Sequence, residues 1–438
     1  MPDFDLKSLS DVADVRMGQS PPSSSCSEEP CGLPFLQGCA EFGPRHPTPQ
    51  FYCNPPLRTA RSKSILISVR APVGDMNIAD QDYCIGRGLG AVAGTQADTA
   101  FLFYSMEHHR RQLQRVAQGS TFEAIGSREL RGMRLPIPSR PVQERIATIL
   151  TTVDNQIEKT EALIAKYQSI KQGLMHDLFT RGVDEHGRLR PSRDEAPQLY
   201  KESELGWIPK DWIVTKIRDQ IKMLTSGSRG WATYYSETGP LFLRIGNLTR
   251  EHINFRWDDV QRVQPPTSSE GQRTVVQEGD VLISVTADLG IIAVVPPRFE
   301  EGYVNQHIAL VRFDQEKANP RFVGHFLQTV GGFEQFQRLN DSGAKAGLNL
   351  PAVASIRFPQ VDPSEASHIA KKLDAIDARI RGERIRLTKA KSLKFGLMQD
   401  LLTGKVPVKP EPDDQDNGIT PNGAAKAGVK SRGEGIHA

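Results

Sequence analysis

A long amphipathic helix is predicted near the middle of this chain, and it occurs a second time near the end. This duplication constrains the fold more than any other feature. A self-match with so long a period is too large for a solenoid repeat, so it indicates a duplicated module made of a globular part followed by a long helix. The matching residues keep one constant offset without a gap: Ile146 and Ile369, Leu150 and Leu373, Asp154 and Asp377, Ile157 and Ile380, and Leu178 and Leu401.

The apolar residues of both helices recur at steps of three and four residues, which is typical of a coiled-coil seam that needs a partner helix. Thr160 and Lys171 interrupt the first seam, and Glu383 and Lys394 interrupt the second at the equivalent positions. Polar residues in a seam cost stability but fix its register. We therefore expect each helix to pair with the chain's other copy. The predicted seam residues are Ile146, Leu150, Val153, Ile157, Ile164, Leu174, Leu178, Ile369, Leu373, Ile376, Ile380, Leu387, Leu397 and Leu401.

The globular parts also match each other, because the strand-like segment at 64–74 (SILISVRAPVG) returns at 280–290 (DVLISVTADLG). Short apolar runs alternate with turn signals in both parts, which favours short strands mixed with helices. The predicted fold class is α+β, with two similar globular domains joined by two long helices. The predicted domains are residues 1–140, a first helix at 141–183, a connector at 184–205, a second globular domain at 206–362, a second helix at 363–404 and a disordered tail at 405–438.

Bulk features narrow the possible locations and chemistries. The chain has no run of 18 apolar residues, and its acidic N-terminus lacks the apolar segment of a signal peptide, so we expect a cytoplasmic protein. All five cysteines lie in the first globular part without a CxxC motif, and no histidine pair has zinc spacing. We expect free thiols and no metal site. A net charge of +3 permits nucleic-acid binding without arguing for it.

Two motifs resemble catalytic signatures but lack essential parts. Asn54-Pro55-Pro56-Leu57 resembles the Asn-Pro-Pro-aromatic signature of amino-methyltransferases, in which the ring stacks on the target base. Leu57 replaces that ring, and no glycine-rich strand–turn–helix for S-adenosylmethionine precedes it. The glycine-rich segment at 86–90 (GRGLG) lies between strand-like runs, whereas a phosphate cradle needs a helix N-terminus, so a tight β segment is expected. We predict neither catalytic residues nor a cofactor bound by this chain.

Basic and aromatic residues in predicted loops are the more informative set. Arginine suits bidentate contacts with guanine and phosphate, and neighbouring aromatic rings suit nucleic-acid surfaces. For any one of these residues an ordinary solvated surface is the alternative; for each set as a whole we favour nucleic-acid contact. The candidates are Arg58, Arg61, Lys63, Arg70 and Arg87 in the first globular part, and Arg229, Trp231, Tyr234, Tyr235, Arg244, Arg250, Arg256 and Lys345 in the second.

Several segments, taken in order, resemble the specificity subunit of type I restriction–modification enzymes. The segment LPIPSRPVQERIATILTTVDNQIE (135–158) is similar to that family's Leu-Pro-x-Pro and Glu-Gln-x-x-Ile-Ala-x-Ile-Leu segment, with Gln143-Glu144 where Glu-Gln is usual. Residues 200–212 resemble its link to the second recognition domain, and 279–285 and 304–313 resemble its core strands. The resemblance extends to about residue 406. Two departures are that the second helix lacks the Glu-Gln pair, and that CIGRGLGAV stands where the second globular part has Asn-Gln-His.

The resemblance implies an arrangement and a set of partners. The two helices would pack antiparallel as a spacer, with two target recognition domains related by a pseudo-two-fold axis, each reading one half of a bipartite double-stranded DNA site. The chain would be non-catalytic. Two modification methyltransferase subunits would bring S-adenosylmethionine for adenine methylation, and restriction motor–nuclease subunits would bring ATP and Mg²⁺.

Other functions stay open at this point. One is a specificity subunit of a methylation-only or type IIB/IIG-like system without a separate motor–nuclease. A second is a self-sufficient methyltransferase that uses Asn54-Pro55-Pro56. A third is a coiled-coil interaction protein without a DNA role. Methylation directed by the chain at a bipartite site would exclude the third, and S-adenosylmethionine binding by the isolated chain would support the second.

The helix length is expected to act as a ruler between the two half-sites. Deleting four residues, about one helical turn, from one long helix should change the unread gap or abolish activity. The sequences of both half-sites should stay the same. Methylation sequencing of the host genome measures both quantities, and a changed half-site sequence would refute the ruler.

Overall fold

The computed structural model describes residues 4–118, 123–227, 229–266, 269–340 and 347–409. The described residues fall into two compact units. The first unit takes its residues from 1–157 and 389–438, and the second from 158–388. Each unit therefore contains part of both long helices. Residues 410–438 of the predicted tail at 405–438, and Lys345, lie outside the described residues.

The first unit is built from short strands and helices. Its helices are α1 (Leu9–Val12), α2 (Thr99–His109), α3 (Arg111–Ala117) and α4 (Ser127–Arg131). Its strands are β1 (Asp5–Ser8), β2 (Ala13–Met17), β3 (Cys26–Ser27), β4 (Leu33–Leu36), β5 (Phe51–Cys53), β6 (Thr59–Ala60), β7 (Ile65–Ser68), β8 (Met76–Ile78), β9 (Tyr83–Ile85), β10 (Leu89–Gly94) and β11 (Arg134–Ile137). These strands form three sheets with the orders β2-β10-β7-β8, β3-β5-β4-β9-β6 and β1-β11.

The second unit repeats this construction. Its helices are α6 (Ser269–Thr274), α7 (Pro320–Leu327), α8 (Val330–Arg338) and α9 (Leu350–Ser355). Its strands are β12 (Tyr200–Ser203), β13 (Gly206–Pro209), β14 (Ile213–Lys216), β15 (Ile221–Ser226), β16 (Tyr235–Leu243), β17 (Arg262–Val263), β18 (Val281–Ser284), β19 (Ile292–Val294), β20 (Gly302–Val304), β21 (Ile308–Phe313) and β22 (Arg357–Gln360). Its four-stranded sheet has the order β15-β21-β18-β19, and β16 pairs in parallel with β20 as β4 does with β9.

The matched segments account for the shared topology. The run at Ile65–Ser68 and the run at Val281–Ser284 are buried along their whole length. They form β7 and β18. Strand β7 pairs antiparallel with β10, and β18 pairs antiparallel with β21. A strand buried on both faces needs a continuous apolar run, which both copies supply. The predicted α+β class with two similar domains is confirmed.

The two long helices are α5 (Arg140–Thr180, 41 residues) and α10 (Pro363–Leu401, 39 residues). Both end three residues before their predicted limits. Gly182 and Gly404 follow the last turns and adopt positive φ values of 66° and 70°. A left-handed glycine just after the last turn is a common helix stop. No helix in the described part of the chain is both long and apolar enough to cross a membrane.

Within each unit the two helices pack antiparallel. In the first unit, Ile146 and Leu150 near the start of α5 share a core cluster with Leu401 at the end of α10. In the second unit, Leu178 near the end of α5 shares a core cluster with Ile369 near the start of α10. The structure buries ten of the predicted seam residues and leaves the other four half-buried: Val153, Leu174, Leu387 and Leu397.

The lysines that interrupt the seams pair with aspartates of the opposite helix. Lys171 Nζ lies 2.6 Å from Asp377 Oδ1 in the second unit, and Lys394 Nζ lies 2.9 Å from Asp154 Oδ1 in the first. These are two copies of one ion pair, because Asp154 matches Asp377 and Lys171 matches Lys394. The Lys171 pair is the more deeply buried, with 10% and 1% of the two side chains exposed. Lys171 also donates to the carbonyl oxygen of Glu251 at 2.6 Å.

A second polar cluster attaches α7 to α10. Asp374 accepts two hydrogen bonds from Arg321, both of 2.6 Å, and lies 2.9 Å from Nε2 of the fully buried His325. Burial lowers the pKa of His325, so its neutral ring donates from Nε2. Burial raises the pKa of Asp374, but the hydrogen bonds from His325 and Arg321 outweigh this and lower it to about 2. The Asp374 carboxylate therefore has hydrogen-bond donors at the point where α10 meets the globular core.

Removing Lys171 should destabilise the second unit strongly. The Lys171→Met variant leaves the carboxylate of Asp377 buried without its cation, which typically costs about 3–5 kcal/mol. All four tryptophans (Trp207, Trp212, Trp231 and Trp257) lie in this unit, so their fluorescence during urea unfolding reports on it.

The double variant Lys171→Met with Asp377→Leu is the matched control. It removes both charges and should recover most of the loss, since apolar replacement of a buried pair is often neutral. A loss below about 1 kcal/mol for Lys171→Met would show that the pair does not hold the register.

Candidate nucleic-acid interface

The first unit gathers three loops at one edge of its sheets. The loop after β4, the loop after β7 and the turn between β9 and β10 are joined by backbone hydrogen bonds. Val69 donates to the carbonyl oxygen of Gly88 at 2.9 Å, and Gly86 donates to that of Leu36 at 2.8 Å. We call Gln37, Arg70 and residues 86–88 the first loop edge.

The second unit builds the same edge from its own residues. Val285 donates to the carbonyl oxygen of His307 at 2.9 Å, and Asn305 donates to that of Leu243 at 3.0 Å. These bonds join the loops after β16 and β18 to the turn between β20 and β21. We call Arg244, Thr286 and residues 305–307 the second loop edge.

The glycine-rich segment has a packing role at the first loop edge. A Cβ atom on Gly88 would lie 2.7 Å from the carbonyl oxygen of Gln37, and one on Gly86 would lie 3.0 Å from the same atom. The contact at Gly88 is too short for a Cβ atom and the one at Gly86 is tighter than most such contacts, so glycine lets the turn and the loop after β4 approach closely. Arg87 stands between the two glycines and is exposed. The segment is the tight β turn that the sequence indicated.

The five basic candidates of the first unit separate into two groups. Arg70 and Arg87 lie on the first loop edge, and the carbonyl oxygen of Arg58 accepts from the backbone N–H of Ile85 at 2.9 Å, beside that edge. Arg61 and Lys63 lie at the far end of β6, where Lys63 donates its backbone N–H to Ala79. All five are exposed, and none forms an ion pair with an acidic residue in the described part of the chain.

The structure does not place Trp231 at the surface, where a nucleic-acid contact would need it. Its side chain is only 3% exposed and stacks on Phe242, with ring centroids 5.6 Å apart and planes 13° apart. It also contacts Tyr303. The ring therefore belongs to an aromatic core beneath the surface. Tyr234 and Tyr235, at 39% and 44% exposure, remain accessible.

The arginine candidates of the second unit are mostly paired with aspartates. Arg244 lies 2.7 Å from Asp259, and Arg256 lies 3.2 Å from Asp258. Arg250 pairs with Asp288, and its guanidinium lies over the ring of Phe333. A guanidinium with an acidic partner offers less free charge to a phosphate. Arg229 is exposed without an acidic partner among the described residues.

Two features of the second unit were missed from the sequence. Thr286 Oγ1 lies 2.7 Å from Nδ1 of His307, and the Gln306 amide nitrogen lies 2.9 Å from Nε2 of the same ring. Trp257 is 46% exposed, with its ring tilted against Phe255 and stacked on Phe299. Clusters of arginine form a local pattern that indicates a nucleic-acid surface, whereas neutral hydrogen-bonding side chains form no such pattern in a sequence.

The other motifs considered in the sequence are not among the residues that define the two loop edges. Asn54 and Leu57 occupy an exposed turn after β5, and Leu57 is 47% exposed. The five cysteines are free thiols. Among the described residues, no three His, Cys, Asp or Glu side chains are grouped so that they could hold a metal ion.

Comparison with known proteins finds similarity to type I restriction specificity domains and subunits. A model of the type I restriction modification DNA specificity domain matches residues 1–167. The putative type I restriction enzyme MjaX specificity subunit of Methanocaldococcus jannaschii is 41% identical over 168 residues, which cover 38% of this chain and 40% of that protein. The MjaVIII specificity subunit of the same organism is 25% identical over 319 residues, 71% of each chain.

Among solved structures, the S subunit of the type I restriction–modification system from M. genitalium has a TM-score of 0.61. The alignment covers 91% of this chain and 96% of that one, at 16% identity. At this identity the similarity is one of fold. The alignments with the two curated relatives span about two fifths of the first and about seven tenths of the second.

Arg58 and Arg61 flank the strand β6, and we expect only Arg58 to contribute to DNA binding. Arg58→Ala removes a cation beside the first loop edge, so it should weaken duplex binding and lower the slope of log K against log salt by about 1. Arg61→Ala is the matched control at the other end of the strand and should leave both quantities unchanged. Fluorescence anisotropy with the full chain over a salt series measures both. Equal losses in the two variants would contradict the assignment of the edge.

Proposed function

We propose that this chain, whose residues 1–167 match the type I restriction modification DNA specificity domain, is a specificity subunit that binds a bipartite duplex DNA site, using one loop edge for each half. It would thereby position modification methyltransferase subunits, and restriction motor–nuclease subunits where these are present. The observation that carries the proposal is one backbone framework built twice in the chain with different side chains at its loop edge.

The different side chains support two unlike half-sites. Two identical reading surfaces on one chain would select a symmetric site, as dimeric DNA readers do. Here Arg70 and Arg87 in the first unit correspond to Thr286 and Gln306 in the second. Arginine and glutamine prefer different base edges in the major groove. The proposed site is therefore asymmetric.

Charge supports DNA as the ligand of the first loop edge. Arg58, Arg70 and Arg87 are exposed there without acidic partners among the described residues. Unpaired cations gain most from phosphate contacts, because their binding releases counterions from the duplex. The proposed DNA contact therefore needs no rearrangement of existing ion pairs on this unit.

We propose that the chemistry resides in partner subunits. S-adenosylmethionine would be bound by two modification subunits, and ATP and Mg²⁺ by the motor–nuclease subunits. The target base would be extruded from the duplex into the modification subunit. This chain would supply sequence recognition and placement, acting in the cytoplasm.

Reconstitution tests the proposal directly. The full chain is combined with its cognate modification subunits and S-adenosylmethionine, and genomic DNA is methylated and sequenced. We expect adenine methylation in one motif with two short specified parts and an unspecified gap. Modification subunits without the chain are the control and should give no such motif. Methylation by the chain alone, or no bipartite motif with the complete mixture, would contradict the proposal.

A further inference from the structure

The two loop edges hold corresponding positions in the same backbone environment. Arg70 forms an isolated β-bridge with Ala124, and Thr286 forms one with Gly347. The turn that follows each position closes in the same way, since a glycine N–H donates to the carbonyl oxygen of Ser68 or of Ser284, at 2.9 Å in both units. Arg70 and Thr286 are therefore structurally equivalent.

The turns that carry Arg87 and Gln306 also correspond. Each joins two core strands through three residues, 86–88 between β9 and β10 and 305–307 between β20 and β21. The same backbone hydrogen bond closes both turns. Leu89 donates its N–H to the carbonyl oxygen of Gly86 at 3.0 Å, and Ile308 donates to that of Asn305 at 3.2 Å. The middle residue is Arg87 in one turn and Gln306 in the other.

Arg87 offers a free guanidinium at this position. Its side chain is exposed and has no acidic or carbonyl partner among the described residues. The backbone at Arg87 is held in place, because its N–H donates to Ser20 Oγ at 3.3 Å and the flanking glycines pack on Gln37. The backbone of Arg87 is therefore fixed, and the N–H donors of its guanidinium remain free to bind a ligand.

Gln306 offers a different set of groups. Its amide nitrogen donates to Nε2 of His307, so that the ring carries its proton on Nδ1 and donates to Thr286 Oγ1. This chain of bonds orients the amide. In the described part of the structure, the amide oxygen and the second N–H of Gln306 have no protein partner. One acceptor and one donor side by side match the N6 and N7 edge of adenine.

We propose that Arg87 and Gln306 are equivalent base-reading positions of the two units: Arg87 reads a guanine in one half-site, and Gln306, oriented by His307 and Thr286, reads an adenine in the other. Guanine presents two acceptors, O6 and N7, to the fork of an arginine. The assignment rests on the proposed function and adds the base chemistry at one position of each half.

Substitutions at the two positions separate base reading from phosphate contact. Methylation of a randomised duplex library by the reconstituted complex measures the base preference at every position. Arg87→Lys keeps the charge but loses the bidentate fork, so preference for one guanine should fall roughly 5- to 150-fold, the range of a good bidentate contact. Gln306→Met keeps the length of the side chain and should reduce preference for one adenine in the other half-site by a similar factor.

Two further variants serve as controls. Arg61→Ala removes an exposed cation away from the loop edge and should leave every preference unchanged. Thr286→Val removes the hydroxyl that orients His307, so it should weaken the same adenine preference as Gln306→Met, but less. An effect of Thr286→Val on the first half-site would overturn the proposed orientation of Gln306.

The outcomes distinguish this inference from the proposed function. If the wild-type complex gives a bipartite motif while Arg87→Lys and Gln306→Met leave both half-site preferences unchanged, the base assignment is wrong and the proposed function stands. Uniform weakening over the whole library, without a change in preference, would identify phosphate contacts and also overturn the assignment. If the wild-type complex gives no bipartite motif, the proposed function itself fails.

Discussion

The pairing of a lysine from one long helix with an aspartate from the other, buried in the second unit and half-buried in the first, fixes how the helices lie in each unit. Lys171 and Asp377 do this in the second unit, and Lys394 and Asp154 do it in the first. An apolar seam alone tolerates a shift of one turn, whereas a shifted register would separate these pairs and leave Lys171 and Asp377 of the second unit buried without each other. Such a charge costs several kcal/mol. The register in turn sets which helix residues complete each globular core, as Leu178 and Ile369 do in the second unit.

The duplication made much of this fold predictable. The helices and most of their buried residues follow from apolar periodicity that occurs twice, and the strands β7 and β18 follow from a continuous apolar run that occurs twice. The lysines were recognised as register-fixing residues, but their partners were not, because the partner of a seam residue depends on which helix faces it and in which direction. Pairing across distant segments is the information that a local pattern lacks.

The candidate site was predictable only in part for the same reason. Trp231 stands next to Arg229 in a pattern typical of nucleic-acid surfaces, yet Phe242 and Tyr303 from distant strands enclose its ring. Arg244 pairs with Asp259, 15 residues away, and Arg250 with Asp288, 38 residues away. The sequence shows that both charged residues of each pair are present, but it does not show that they form an ion pair. Gln306 and His307 were overlooked because neutral side chains gain meaning only when the turn brings them to Thr286.

One framework with two sets of side chains is the central property of this molecule. The backbone bonds at the loop edges use the same positions in both units, so the side chains there vary without altering the fold. The first unit presents unpaired cations, and the second presents neutral groups together with arginines that aspartates already engage. The recognition of two unlike half-sites by one chain is the function that this difference supports.

Replacement of the second recognition domain by a second copy of the first tests this account most directly. Residues 206–362 are exchanged for residues 1–140, the variant is combined with its modification subunits, and the methylated motif is sequenced. The account predicts that the second half of the wild-type site disappears and that the first half occurs on both sides of the gap. Retention of the second half-site by the folded complex would contradict it.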